Sequence, residues 1–169
     1  DSGNLLRKNW VLYAQEEAGG FIRLNFSQFF SITNGEWKTP VDIAINTWHH
    51  IAIYYNADSV SNDPVVLIDG VSVVMTETST PVGTRVTDVA SDLFFGDNST
   101  HTQSWDGELD EIRIYTTTLT TPQAIALKEN PGGQSLSSIQ RRKLPVLPTD
   151  ANLSGYWSFD ESTGSVAID

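Results

Sequence analysis

Short runs of aromatic and β-branched residues, separated by turn residues, recur along the first 115 residues of this chain. Such residues are favoured in β-strands, whereas Gly, Asn, Asp and Pro interrupt them. The pattern therefore predicts a series of short antiparallel strands. They are Asn9 to Gln15, Gly20 to Phe26, Gln28 to Thr33, Trp48 to Tyr55, Val65 to Ile68, Val71 to Met75 and Ser91 to Gly96.

The strongest turn signal is Asp69-Gly70, which stands between two runs of β-branched residues. Asp-Gly is typical of a two-residue hairpin turn, because both turn positions need a left-handed backbone. Two other segments have weaker patterns. Pro40 interrupts residues 35–45, which suits an edge or a bent connection. Residues 76–90 lack a clear period and are predicted to form a loop with some edge pairing.

The sequence predicts a single helix. Thr121 is the predicted N-cap, Pro122 occupies the first helical position, and residues 130–133 (Asn-Pro-Gly-Gly) end the helix. Many short strands with regular turn signals and one short helix after the last strand indicate an all-β domain. We therefore predict an antiparallel two-sheet sandwich of the jelly-roll type.

Residues 105–115 are predicted to form the last strand of this sandwich. Ile112 and Ile114 alternate with polar residues, but Leu109 falls on the opposite phase. A β-bulge at Asp110-Glu111 would bring the three apolar side chains to one face and turn both carboxylates outward. We therefore regard this corner as a candidate ion-binding region.

A change of composition divides the chain after residue 133. Residues 1–133 are assigned to the sandwich, and residues 134–152, with a basic cluster and two prolines, to a linker. Residues 153–169 begin with another strand-like run, Leu153 to Asp160. They are expected to form either the first strand of a next module or a strand that completes a sandwich.

The charge balance narrows the classes of partner. Ten basic and 21 acidic residues give a net charge of −11, which repels nucleic acid and anionic membranes and favours cations. The chain has no cysteine, which removes disulfides and thiolate metal sites. Neither an apolar run of bilayer length nor a signal-peptide pattern is present, so we expect a soluble piece that is mature or internal to a longer protein.

Three segments, in this order, resemble a laminin-G-like module of the concanavalin A-like lectin/glucanase superfamily. They are Asn46 to Tyr55, Val66 to Gly70, and Leu93 to Gly96 together with Asp106 to Tyr115. The resemblance covers roughly residues 9–129. It implies a non-catalytic β-sandwich module from an extracellular or cell-surface protein, serving adhesion or assembly.

The chain departs from this family pattern at its ends. In the family, a segment similar to Gly155 to Glu161 usually opens the domain and pairs with the last strand, but here it follows the linker. Three arrangements would explain this order. Residues 153–169 begin a second tandem module, fold back onto their own domain, or complete a neighbouring copy. A linker of about 19 residues spans at most roughly 60 Å, so its reach allows all three. Because an open edge is normally covered, strand donation within or between chains would join copies or adjacent modules head to tail.

Oxygen ligands near the terminal strands form the candidate metal site. The resemblance implies calcium, a hard cation that carboxylate and amide oxygens bind. Asp110 and Asp160 are the main candidates. The wider set adds Asp106, Glu111, Asp169 and Asn4, the last in a predicted Asp1-to-Asn4 turn.

Two other functions remain as alternatives. Some relatives are glycoside hydrolases with a Glu-x-Asp-x-Glu strand, which Glu108-Leu109-Asp110 begins to match, but Ile112 stands where the third carboxylate is required. A lectin would need an exposed aromatic platform for a glycan. Trp37 and Trp105 flank loops and are the candidates, whereas Trp48 and Trp157 are expected in the core.

Overall fold

The computed structural model describes residues 2–129 and 152–159. Within these ranges no helix is long and apolar enough to cross a membrane. The strands are β1 (Ser2–Arg7), β2 (Trp10–Glu17), β3 (Phe21–Gln28), β4 (Gly35–Lys38), β5 (Ile43–Ala44), β6 (Ile51–Tyr54), β7 (Val65–Ile68), β8 (Val71–Val74), β9 (Thr76–Ser79), β10 (Phe94–Phe95), β11 (Ile112–Tyr115) and β12 (Leu153–Trp157), and the helix is α1 (Thr121–Glu129).

The largest sheet is antiparallel, with the strand order β10-β1-β2-β3-β4-β9 and β5 beside β3. Strands β6, β7 and β8 form a second antiparallel sheet, and β11 pairs with β12. The sandwich architecture predicted from the sequence is therefore confirmed. The observed sandwich differs from the predicted one in the number of sheets. The strands of the described residues form three hydrogen-bonded groups rather than two.

The core lies between the large sheet and the β6-β7-β8 sheet. Period-2 alternation turns Leu12 of β2 and Leu24 and Phe26 of β3 to the inner face, where each is at most 5% exposed. Ile53 and Ile68 of the facing sheet pack against these residues. The buried apolar residues form two adjoining clusters, one around Leu12 and one around Trp37.

The turn between β7 and β8 has the predicted conformation. Asp69 and Gly70 have φ angles of 54° and 83°, as a two-residue hairpin turn requires. The turn also anchors neighbouring elements. The Asp69 carboxylate accepts hydrogen bonds from the backbone N–H of His50 (2.9 Å) and from Nδ1 of His49 (2.7 Å), and Lys128 of α1 donates to the Asp69 carbonyl at 2.8 Å.

Helix α1 begins one residue earlier than the sequence pattern predicts. Thr120 is the N-cap, because its backbone N–H and hydroxyl both donate to Oε1 of Gln123 at 2.9 Å. Pro122 is consequently the second helical residue. Ala124 and Ala126 are completely buried, and the Tyr54 hydroxyl lies 3.3 Å from that of Thr121, so the helix packs onto β6.

Several strand predictions are corrected by long-range pairing. Ser2–Arg7 is a strand rather than a turn, because β2 and β10 pair with its two sides. The predicted strand from Gln28 to Thr33 is absent from the described residues. Only Phe30 and Thr33 there make isolated bridges, to Arg85 and Val82. Thr76–Ser79, predicted as part of a loop with some edge pairing, forms a regular edge strand beside β4.

The last strand of the sandwich is shorter than predicted. Leu109 packs on the core and Ile112 is 9% exposed, as expected, but β11 begins only at Ile112. Asp110 and Glu111 therefore precede the ladder, and the predicted bulge there is wrong. Glu111 has a left-handed backbone with φ 54°, and this turn lets Leu109 and Ile112 face the same core. The register shift between β11 and β12 lies after Ile114 instead.

Candidate functional site

Strand β12 lies antiparallel to β11 and is paired with it from Leu153 to Trp157, with a register shift at Ser154. Ile112 is opposite Trp157, Arg113 is opposite Tyr156, and Ile114 is opposite Gly155. The backbone N–H of Thr116 extends the pairing by donating to the Asn152 carbonyl at 2.9 Å. We call the contact of β12 with β11 and with Phe95 of β10 the seam.

Gly155 makes room for the largest side chain of the seam. It is buried, and a Cβ atom at this position would lie 2.3 Å from Cη2 and 2.7 Å from Cζ3 of Trp157. The indole ring thus folds back over the glycine two residues earlier on the same face. Gly35 and Trp37 of β4 repeat this arrangement, with a corresponding distance of 2.3 Å.

Aromatic side chains join β12 to the large sheet. The rings of Trp157 and Phe95 meet edge to face, with centroids 4.7 Å apart and an interplanar angle of 64°. Phe159 contacts the same ring at 6.1 Å and 88°. Offset or edge-to-face geometry is the favourable one for aromatic pairs. Because β12 pairs with β11 and packs on β10, it closes the gap between two of the hydrogen-bonded groups.

A polar cluster occupies the other face of the seam. The Arg113 guanidinium lies 4.3 Å above the centre of the Tyr156 ring and donates to Oε2 of Glu111 at 2.6 Å. The Tyr156 hydroxyl donates to the same carboxylate oxygen at 2.8 Å. The charged side chains of Arg113 and Glu111 are only 11% and 17% exposed. Their mutual pairing compensates for this burial, which would be costly for either charge alone.

The candidate calcium ligands are not gathered into one cluster within the described residues. No group of three or more His, Asp or Glu side chains there is arranged to hold a metal ion. Asp106 and Asp110 are exposed, and Asp110 accepts a hydrogen bond from the Glu111 N–H at 2.9 Å. Glu111 is already held by Arg113 and Tyr156.

The remaining candidate ligands lie elsewhere in the chain. Asn4 is 2% exposed in β1, where its side-chain amide donates to Oε1 of Gln103 at 3.3 Å. Asp160 and Asp169 lie outside the described residues, as do residues 134–151 of the predicted linker.

The tryptophans are distributed differently from the prediction. Trp37 is 1% exposed and donates from Nε1 to Asp63 at 2.8 Å, so this ring cannot serve as a sugar-stacking platform. Trp105 is half-buried and packs on the core. Trp48, expected in the core, is 61% exposed because β6 begins only at Ile51. The exposed indole was missed because its sequence neighbours follow a strand-like pattern.

The two adjacent histidines are fixed by different partners. His49 contacts Asp69 through Nδ1 at 2.7 Å and the Ala44 carbonyl through Nε2 at 3.1 Å. The Nδ1 atom of His50 is buried and has no hydrogen-bond partner among the described residues. Burial, together with the positive charges of Lys128 and Arg113, lowers the pKa of His50, although Asp69 acts in the opposite direction.

We expect acid to destabilise this part of the fold. Because the pKa of His50 is lowered, the unfolded chain takes up its proton from about pH 6.5 downward while the folded chain does not, so unfolding becomes more favourable there. At lower pH the protonation of Asp69 also favours unfolding, because its pKa is lowered in the folded chain. Burial raises its pKa, but hydrogen bonds from His49 and His50 and the charge of Lys128 lower it overall.

The measurement is the melting temperature between pH 7.5 and 5.0. The wild type should melt at lower temperature as the pH falls, and His50→Gln should flatten the slope near pH 6. His101→Gln is the matched control, because the His101 side chain is 81% exposed. Equal slopes for the wild type and His50→Gln would contradict the assignment.

The match to a protein-family model agrees with this architecture. A family model described as Laminin_G_3, of the concanavalin A-like lectin/glucanases superfamily, matches residues 2–125. This chain belongs to the laminin-G-like domains. The match covers most of the sandwich but ends before β12. No curated protein and no solved structure matches the chain.

Membership of this superfamily does not by itself decide between binding and catalysis, because glycosidases share the fold. In this laminin-G-like domain the position that a third catalytic carboxylate would need is Ile112, which faces the interior at 9% exposure. Glu111 lies beside it in sequence but is bound to Arg113 and Tyr156. The stretch from Glu108 to Ile112 therefore has exposed carboxylates at the first two positions of the Glu-x-Asp-x-Glu pattern but none at the third.

Proposed function

We propose that this laminin-G-like domain is a non-catalytic extracellular adhesion or assembly module whose copies, or adjacent modules, join head to tail by donating β12. The observation that carries the proposal is the seam. β12 pairs with β11 at four positions and makes aromatic, cation–π and hydrogen-bond contacts, yet residues 130–151 separate it in sequence from the rest of the domain. A strand so connected can make the same contacts with another copy.

Donation between copies requires no interface other than the one that β12 already makes with β11 and β10. The contacts of β12 are identical whether it comes from the same chain or another, so only the connection and the local concentration decide between them. Residues 130–151 span at most roughly 70 Å when extended, which leaves ample reach to a neighbour. Head-to-tail donation without ring closure yields a linear assembly, as an adhesive filament requires.

Two defective variants test the donation. Gly155→Val spoils the donor, because a branched side chain would collide with Trp157. The double variant Phe95→Ala, Arg113→Ala weakens the acceptor, because it removes the ring on which Trp157 packs and the guanidinium that lies over Tyr156. Neither variant can complete its own seam, but a donor from the second fits the acceptor of the first.

We expect each variant alone to be monomeric in multi-angle light scattering and their equimolar mixture to form a dimer of about twice 18.6 kDa. Circular dichroism should show that both variants retain β-structure. The control is a third chain with all three substitutions, which should not associate with either variant. A mixture that stays monomeric would rule out donation between chains.

Calcium remains part of the proposal as a stabilising ion beside the seam. Its support is the exposed carboxylate of Asp110 directly before β11 and the occurrence of Asp160 immediately after Phe159 in the sequence. Titration calorimetry should then give a calcium heat that Asp110→Asn abolishes, and chelator should lower the melting temperature of the wild type only. No heat and no shift with chelator would contradict it.

Glycan binding is a second candidate function, favoured by one observation. Trp48 is 61% exposed and precedes His49, whose ring is hydrogen-bonded to Asp69, so an exposed aromatic side chain and polar side chains occur in one surface segment. A glycan array with calcium present is the test. Binding that Trp48→Ala removes would support this function, whereas a blank array would exclude it.

A further inference from the structure

We propose that the acceptor side of the seam is selective for sequence, and that it binds a free extended peptide of the pattern Gly-Tyr-Trp-x-Phe in place of β12. This inference rests on the proposed donation of β12 but concerns what the acceptor recognises. The partner is therefore a segment of another polypeptide with this pattern, whether or not that polypeptide is a copy of the same domain.

The strand ladder gives affinity without selectivity. Main-chain pairing of β12 with β11 is available to any extended peptide, so discrimination must come from side chains that fit specific neighbours. Four of the five positions from Gly155 to Phe159 have such neighbours, and Ser158 is the variable one.

The first position requires glycine. The Trp157 ring occupies the space that a Cβ atom of residue 155 would fill, at 2.3 Å, and the ring is held there by Phe95. Any larger residue must push the indole away from Phe95 or shift the peptide out of the ladder. The glycine and the tryptophan are thus recognised together.

The second position selects tyrosine. Its ring lies under the Arg113 guanidinium, a contact that either Tyr or Phe provides, at 4.3 Å to the centroid. Its hydroxyl donates to Glu111 at 2.8 Å, which only Tyr provides. This hydrogen bond also helps to hold Glu111, whose left-handed backbone is unusual for a non-glycine residue.

The third and fifth positions select large aromatic rings. Both Trp157 and Phe159 meet Phe95 edge to face, with centroids at 4.7 Å and 6.1 Å. Phe159 reaches that ring with a left-handed backbone of φ 53°, so the peptide must turn just after the ladder ends.

The experiment uses the full chain with a protease recognition sequence inserted after residue 133. After cleavage, the chain is unfolded in urea and refolded with a tenfold excess of a fluorescent peptide spanning residues 152–169. Peptides with the substitutions Gly155→Val, Tyr156→Phe and Trp157→Ala are compared with the wild-type peptide. The uncleaved chain is the control, because its tethered β12 has a large concentration advantage over a free peptide.

We expect the cleaved chain to retain the wild-type peptide in gel filtration and the uncleaved chain to retain little. The Gly155→Val peptide should bind at least about tenfold more weakly because it overpacks the seam. Loss of the half-buried ring and of its contact with Phe95 should weaken the Trp157→Ala peptide by about 100-fold. Tyr156→Phe should lose only the hydrogen bond to Glu111 and bind within about tenfold of the wild-type peptide.

Other results would overturn the inference. Equal retention of all four peptides would mean that the acceptor binds through main-chain hydrogen bonds alone. Retention of none of them would mean that the acceptor does not bind a free segment. Failure of the complementation between defective variants, with peptide binding intact, would instead count against assembly alone. The two proposals therefore fail separately.

Discussion

A chain that ends at Glu129 is expected to lose its native sandwich. Truncation removes the ladder on β11 and exposes Phe95, on which Trp157 and Phe159 pack. Removing a fully buried tryptophan costs about 3–5 kcal/mol. Trp157 is half-buried, but the lost ladder and the lost Tyr156 contacts add to the cost of removing it. Since domains of this size are stable by only about 5–15 kcal/mol, the truncated chain should unfold at much lower urea concentration or associate through its open edge.

Urea unfolding followed by tryptophan fluorescence, together with light scattering, measures both effects. The matched control keeps β12 but replaces residues 134–148 by a Gly/Ser segment of equal length, which should leave the unfolding midpoint nearly unchanged. A truncated chain that remained a monomer with the midpoint of the full chain would show that β12 is dispensable.

Trp37→Ala should be the most destabilising single substitution in the large sheet. The ring is 1% exposed, lies 5.1 Å from the Tyr55 ring and 6.0 Å from that of Phe26, and donates to Asp63 at 2.8 Å. We expect a loss of about 3–5 kcal/mol, because the cavity cannot be refilled by the surrounding rings. Burial, aided by Asp63 and Glu77, raises the pKa of the neighbouring Tyr55 to about 12.

Two variants separate the contribution of the buried ring to stability from that of the hydrogen bond and from that of an exposed indole. Trp37→Phe keeps an aromatic ring but loses the hydrogen bond to Asp63, and should cost clearly less than Trp37→Ala. Trp48→Ala removes an indole that is 61% exposed and should change stability by no more than about 0.5 kcal/mol. If Trp48→Ala proved as costly as Trp37→Ala, the assignment of core and surface would be wrong.

The contrast between Trp37 and Trp48 shows that local sequence patterns do not predict which tryptophan is buried. Trp48 precedes an alternating segment and looks like part of a strand, but His49 and His50 are held by Asp69 and the strand begins at Ile51. Trp37 stands near loops in the sequence, yet β4 is interior to the sheet because β3 and β9 pair with its two sides. Sheet order depends on long-range pairing, which local patterns do not contain.

Local signals succeed where the structure itself is local. The turn at Asp69-Gly70 and the helix near Pro122 form where the sequence predicts them, because turn and cap chemistry acts within a few residues. The strand β1 was missed for the opposite reason. Its Ser2-Gly3-Asn4 segment has turn-like composition, and pairing with β2 and β10 overrides that preference.

The sequence predicted the strand pairing of the seam but not its side-chain contacts. The resemblance of residues 155–161 to a family segment suggested pairing with the last strand, without indicating which chain would supply the partner. The roles of Gly155, Arg113 and Phe95 depend on distances across the seam that the sequence does not show. The repeated Gly-x-Trp at residues 35–37 and 155–157 was the available signal, because both glycines leave space for the following indole.

Disulfide trapping tests the position of β12 most directly, because the chain has no cysteine of its own. Tyr115 and Leu153 are paired across the seam, so Tyr115→Cys with Leu153→Cys should form a disulfide under mild oxidation of the folded protein. Tyr115→Cys with Ser158→Cys should not, since Ser158 lies five residues beyond Leu153, or about 16 Å along the chain. A non-reducing gel then shows whether the link lies within one chain or joins two. Efficient trapping of the first pair alone is the predicted result, and equal or absent trapping of both pairs in the native protein would contradict the account.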